Sequence, residues 1–311
     1  MRITTNQMYT TANAHMLQNQ KNLAAVQVQL TSGKKLQSLA DDPVAGNKII
    51  TLQREIERYT VMNMSIDTAN TQLNSEEEAL SSLTNLTDRL QEISISLGNV
   101  TFSDSVHEDF AIEMTELVDM GQSLFNYQDT KGEYLFAGAQ GGKPAYELEA
   151  GRWVFKGDGE NRHVKVSTTF NVQVSDSGQD IFEIESPLIP RDNILNQTLD
   201  MINDIRALDM SIPADAATFE VRREAYMGKV SNMQDSMRHS ISNLGARMVN
   251  LDAVKESNAN FKMNLSKALS DVQDLDYAKA SSDLAKTQTA LEASYASFAK
   301  IQGMSLFNYI K

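Results

Sequence analysis

Histidine, cysteine and carboxylate side chains carry most protein chemistry, and this chain arranges none of them for it. His15, His107, His163 and His239 stand far apart, and none sits in HExxH or another metal-ligand spacing. All four read as surface or interface histidines. The chain has no cysteine, which removes disulfides, thiolate catalysis and Cys-ligated metals. Glu76, Glu77 and Glu78 are consecutive and read as a solvated helix face, not an acid/base pair. Gly157-Asp158-Gly159 is followed by no Lys-Ser/Thr, so it reads as a hairpin turn and not a phosphate loop. Trp153, Phe155 and Phe170 read as the core of a small β-rich segment, with a glycan-binding face as the alternative. No catalytic residue, metal or cofactor is expected.

The chemistry that remains is association. The first forty residues contain no Asp or Glu, in a chain whose formal net charge is −13. They carry Arg2, Lys21, Lys34 and Lys35, with Met16, Leu23, Val26 and Leu30 at helical spacing. The other end mirrors this: Tyr277, Leu284, Leu291 and Phe298 recur every seventh residue, Ile301 follows, and the chain closes on the apolar MSLFNYIK. Two amphipathic ends with little else to bury their stripes require a partner, which is either each other or another subunit. Short helices are marginal alone, so both arms are expected to order only on assembly. The acidic balance argues against nucleic acid, which is bound by clustered Lys and Arg. No window reaches about 18 apolar residues, so no membrane span is expected. The start lacks the apolar stretch of a signal peptide, which leaves a cytoplasmic protein or one exported by a route needing no such signal.

These stripes need long helices to carry them. Five prolines in 311 residues suit uninterrupted helices, because proline removes an intrahelical donor. Fifteen methionines suit interfaces that must adapt. A helix is predicted over 7–31, broken at Thr31-Ser32-Gly33. Asp41-Asp42-Pro43 reads as the start of the next, a carboxylate cap before proline at the first helical position. From there Ile49, Leu52, Ile56, Tyr59, Asn63, Ile66, Asn70, Leu73 and Leu80 follow steps of three and four, with Glu77 as a miss, and Leu83, Leu90 and Leu97 continue the seam. Residues 49–97 would span roughly 70 Å as one helix. Phe110, Leu117 and Leu124 mark a third helix over about 104–128. Ile194, Met201 and Leu208 mark a fourth. Val230, Met237, Leu244, Leu251, Leu265 and Val272 recur every seventh residue, with Asn258 the one polar member. Asn258 either fixes register or faces a wet part of the seam. Between the helical stretches, Arg152–Lys156 and Arg162–Ser167 read as one strand pair, and Phe170–Val174 with Ile181–Ile184 as another.

The expected fold is therefore mainly α with a β insert: a long antiparallel helical rod or coiled-coil bundle built from both chain ends, with a small β-rich domain at its tip. The predicted domains are 1–40 with 273–311 as the terminal assembly domain, 41–137 with 190–272 as the rod, and 138–189 as the insert. In such a hairpin Lys34 and Lys35 come near Asp271, Asp274 and Asp276. Those charges would set register, contributing only about 0–1 kcal/mol each; solvated faces that never touch are the alternative.

The segment LTSGKKLQSLADDPVAG at 30–46 resembles the N-terminal signature of the flagellins and their relatives, and DLDYAKASSDLAKTQTALEASYASFAKIQGMSLFNYI at 274–310 resembles the matching C-terminal one. MRITTNQM, Asp41-Asp42-Pro43, KGEYLFAGAQ at 131–140 and FAKIQGMSLFNYI are more like the hook-associated branch of that superfamily than its filament proteins. The resemblance implies an extracellular structural protein of the bacterial flagellum, exported unfolded by the flagellar type III route without a cleaved signal. It implies like subunits in a ring, hook-associated protein 1 on the hook side, flagellin on the filament side, and an export chaperone. A short self-polymerising flagellin is the alternative.

Overall fold

The structure is a computed structural model that describes residues 5–38, 40–98, 104–186 and 189–303. The apolar finish at 304–311 lies outside the described residues. Long helices come from both ends of the chain: α1 (Thr5–Ser32), α2 (Pro43–Leu97), α3 (Asp104–Phe125), α5 (Ile194–Ala207), α6 (Pro213–Gln273) and α7 (Tyr277–Gly303), with a five-residue α4 (Gly178–Phe182) inside the insert. Among the described residues three antiparallel two-stranded sheets complete it: β1 (Tyr146–Glu149) with β2 (Arg152–Phe155), β3 (His163–Lys165) with β4 (Asn171–Gln173), and β5 (Glu183–Ser186) with β6 (Ile189–Asn193). The chain divides into two compact units, residues 1–60 with 259–311 and residues 61–258. Both divisions fall inside helices, α2 and α6.

The unit of residues 61–258 holds the main core. On α2 it buries Ile66, Leu73, Leu80, Leu83, Leu90 and Leu97, the seam that the three-and-four spacing marks. On α6 it buries Val230, Met237, Leu244 and Leu251. The third helix differs from expectation by one step around its axis. Phe110, Leu117 and Leu124 are only partly buried, and the buried stripe is His107, Ala111, Met114, Val118 and Phe125. Gly121 lies on that stripe. A Cβ there would stand 2.6 Å from Leu195 Cδ2, so the missing side chain lets α5 close on α3. Small residues and a histidine hide this face from an apolar count. His107 is buried, edge-on to the Phe219 ring at 6.4 Å, and not a surface histidine.

The insert pairs its strands differently from the sequence reading. Residues 152–155 pair back onto 146–149 through the tight Ala150-Gly151 turn, where both residues have positive φ. Residues 163–165 pair with 171–173. Gly157-Asp158-Gly159 is a connection between sheets, and Asp158 Oδ1 accepts the amides of Ala139 and Glu160. Ile181 and Phe182 close α4, and only Glu183 onward is strand. The aromatic core of the insert is Tyr146, Phe136 and Phe182, packed on Phe125 of α3; Phe125 and Phe182 stack at 4.2 Å. Trp153 and Phe155 are half-buried and Phe170 is exposed. Asn258, deep on α6, donates Nδ2 to the Val166 carbonyl at 3.1 Å. It ties insert to helix, a role that heptad spacing alone does not specify.

Candidate assembly surface of the terminal helices

In the unit of residues 1–60 and 259–311, α1 packs along α7. The less exposed positions on α1 and just after it include Ala12, Met16, Asn19, Leu23, Val26, Leu30 and Gly33, in steps of four and three. Those on α7 include Ala280, Leu284, Thr287, Leu291, Ser294, Phe298 and Ile301, again in steps of four and three. This is an antiparallel heptad seam. The apolar members expected from the sequence are thus brought together, except that Tyr277 opens α7 and is 57% exposed. The polar members were missed because an apolar count passes over Asn19, Thr287 and Ser294. Two of these bond across the seam: Asn19 Nδ2 donates to Ser294 Oγ at 2.6 Å. Beside them Gln20 Nε2 donates to Tyr295 Oη at 2.7 Å, and the Tyr9 and Phe298 rings meet at 5.1 Å.

Every seam residue except Ala280 remains partly exposed, and Met8, Tyr9, Leu17, Val28 and Tyr295 are exposed outright. Two helices cannot enclose an apolar stripe this wide. Near its open end the pair leaves an apolar groove of about 510 Å³ bordered by Met8, Ala12, His15, Ala293 and Ile301.

Where α1 ends and α6 gives way to α7, two chain segments pair antiparallel. Lys34 stands opposite Asp274 in a backbone bridge. Leu275 N–H donates to the Gly33 carbonyl at 3.0 Å, and Lys35 N–H to the Gln273 carbonyl at 2.8 Å. The residues expected to meet by charge are thus held by main-chain bonds. Among the described residues no ion pair involves Lys34, Lys35, Asp271, Asp274 or Asp276. Asp274 Oδ2 instead accepts from Ser270 Oγ, and Asp276 Oδ1 accepts the Lys279 amide at the start of α7. Asp42 Oδ1 caps α2 through the amides of Val44 and Ala45, both at 3.0 Å, with Pro43 at the first helical position. Asp41 Oδ2 receives the Ser38 amide at 2.9 Å and so closes the preceding turn.

Charge is segregated between the units. Residues 1–60 and 259–311 carry 13 Lys and Arg against 9 Asp and Glu, whereas residues 61–258 carry 15 against 32. Among the described residues no group of three or more His, Cys, Asp or Glu side chains is arranged to hold a metal ion, and no helix is long and apolar enough to cross a membrane. The consecutive acids divide: Glu78 is exposed, Glu77 half-buried, and Glu76 fully buried against the insert, so the solvated-face reading fails for Glu76. The helix turns it inward because it lies three residues after buried Leu73 and four before buried Leu80.

Comparison with known proteins follows the same two arms. The bacterial flagellin N-terminal helical region matches residues 3–141, and the bacterial flagellin C-terminal helical region matches residues 227–310. Flagellar hook-associated protein 3 of Escherichia coli K12 is 25% identical over the full length of both chains. Hook-associated protein 3 of Legionella pneumophila superposes with a TM-score of 0.68 at 17% identity, over 72% of this chain and 98% of that one. The flagellar junction protein FlgL of the same organism superposes with a TM-score of 0.61 at 18% identity, over 73% and 100%. The chain belongs to the flagellin family of bacterial flagellar structural proteins.

Proposed function

We propose that this chain is the structural subunit joining the flagellar hook to the filament, assembling as a ring through its terminal helices. The observation that carries this reading is the α1–α7 pair, whose complete heptad seam stays half open along its length. A seam of this kind is finished by further helices, and like subunits around a common axis supply them. Full-length correspondence to hook-associated protein 3 of E. coli favours the junction over the filament. Its neighbours are then hook-associated protein 1 on one side and flagellin on the other. The subunit works outside the cell at the end of the flagellar export route, attended by an export chaperone before release. Lys34, Lys35, Asp271, Asp274 and Asp276 mark the register of the arms; Met16, Leu23, Val26, Leu30, Leu284, Leu291, Phe298 and Ile301 carry the contacts, with Tyr277 at their edge.

Seeded assembly tests this. Purified chain is added to hook ends bearing hook-associated protein 1 and to filament fragments, and growth is followed by electron microscopy. The expected result is a layer of fixed height on the first, which then accepts flagellin. Indefinite elongation from either end would assign the chain to the filament instead.

A further inference from the structure

Within residues 61–258, four charged side chains from separate parts of the chain converge where the insert meets the helices. Glu76 of α2 is 0% exposed. Its Oε1 accepts the Asp176 amide at 3.1 Å, and its Oε2 has no partner. Asp176 lies between β4 and α4, and its carboxylate binds Arg247 of α6 at 2.9 Å. Arg162, just before β3, joins Glu133 and gives its amide to Ser175 Oγ. Arg162 Nε and Nη2 and Arg247 Nη1 are buried without partners. The groups facing Glu76 are thus Asp176, Arg247 and Arg162, with Glu133 and Asp129 beyond Arg162.

We propose that Glu76 is a proton-operated latch: protonated, it holds the 175–178 segment of the insert against the helices, and ionised, it releases that segment. Protonated Glu76 accepts the Asp176 amide and leaves Arg247 to Asp176. Ionised Glu76 places a second carboxylate beside Asp176 in a buried site; burial and the repulsion between the two outweigh the Asp176 amide, Arg247 and Arg162, which favour the ionised form. The effect spreads along the chain. Ser177 caps α4 through its hydroxyl, and α4 carries Phe182 onto Phe125. Burial, and then the neighbouring Asp176 charge, hold the Glu76 carboxyl well above the usual carboxylate range. A group raised in the folded state contributes stability that is complete below its unfolded value and is lost as pH rises through its folded one. The latch is therefore closed in acid and strained as pH rises through that raised folded value.

Hydrogen exchange of the full chain, corrected for intrinsic rates and read in peptides covering 173–180, tests the proposal against Glu76→Gln and, as a control, exposed Glu78→Gln. As pH rises through the raised Glu76 value the ratio of wild-type to Glu76→Gln exchange should rise at least about tenfold, while the ratio to Glu78→Gln stays flat. A constant Glu76 ratio overturns the latch. Should Glu76→Gln fail to fold, the wild-type Glu76 carboxyl carbon is titrated by NMR. A midpoint above the other glutamates that moves with the 175–178 amides supports the latch, and a midpoint among them overturns it.

Discussion

The amide of Leu275 donates to the carbonyl of Gly33 at 3.0 Å, joining the two places where the terminal helices break. This bond fixes which residue of α1 faces which residue of α7. Once the Lys34–Asp274 bridge is set, the two series of half-buried positions run away from it in matching steps. Main-chain bonds suit this task, because their geometry is tied to the fold and they are screened by salt far less than exposed charges are.

Gly33 is the residue on which this clamp depends. Its φ is +68°, and a Cβ would stand 3.0 Å from the Tyr277 hydroxyl. Gly33→Ala should destabilise the α1–α7 pairing by about 1–2 kcal/mol, the ordinary cost of a left-handed residue with a side chain. Adding Tyr277→Phe removes the steric part and leaves the backbone part. Faster hydrogen exchange in peptides 28–38 and 270–280, with unchanged exchange around Leu83 and Met237, is the expected signature.

Lys34 and Lys35 test charge against backbone. Since Lys35 contributes its amide and Lys34 its place in the bridge, Lys34→Glu with Lys35→Glu should alter the stability of the pair by under about 1 kcal/mol. The segregation of charge gives assembly the opposite salt dependence from one driven by ion pairs. Screening the acidic 61–258 units from one another should speed ring formation between 0.05 and 0.3 M NaCl, measured by sedimentation velocity. Slower assembly with salt would mean that ion pairs between subunits, and not screening of like charge, dominate its salt dependence.

Much of this was legible because it rests on periodicity. The Leu80–Leu97 seam, the Val230–Leu251 run and the two terminal stripes follow from apolar residues at heptad spacing. What was missed lacks such a signal. The α3 core stripe passes through His107 and Gly121, where a histidine and a glycine count as polar or empty. The 152–155 strand pairs backward because the Ala150-Gly151 turn is shorter than the linker to the next strand, and a strand's local pattern does not name its partner. Glu76 looks like its solvated neighbours in sequence; only helix geometry, with Leu73 and Leu80 on the same face, turns it inward.

Trp153 shows how side chains stand in for a missing strand. Its amide donates to Asn196 Oδ1 at 2.8 Å, and its carbonyl receives Asn193 Nδ2 at 2.8 Å and Asn196 Nδ2 at 2.9 Å. Asn196→Ala leaves the Trp153 amide without its partner and should cost about 1–3 kcal/mol. Because Trp153 is the only tryptophan, intrinsic fluorescence reports the change directly: a red-shifted emission maximum and a lower urea midpoint are expected.

Asp129 supplies a prediction with a definite pH sign. Its Oδ1 accepts the amides of Lys131 at 2.8 Å and Glu133 at 3.0 Å, closing the turn before Tyr134. Burial pushes this carboxyl up, but the Glu133 and Lys131 amides, a Gln72 side-chain bond and the Arg162 charge outweigh it and hold it below the ordinary value. A carboxylate depressed in the folded state contributes stability that is present above its unfolded value and lost as pH falls through its folded one. Asp129→Asn keeps an acceptor and removes the charge, so it should cost about 1–2 kcal/mol at pH 7. That cost should shrink as pH falls through the lowered folded value of this carboxyl, where the wild-type group is itself protonated. Urea unfolding of both proteins, from pH 7 down to the most acid pH at which both still fold, measures the difference. A cost that stays constant across that range would mean that turn geometry, and not the carboxylate charge, stabilises the segment.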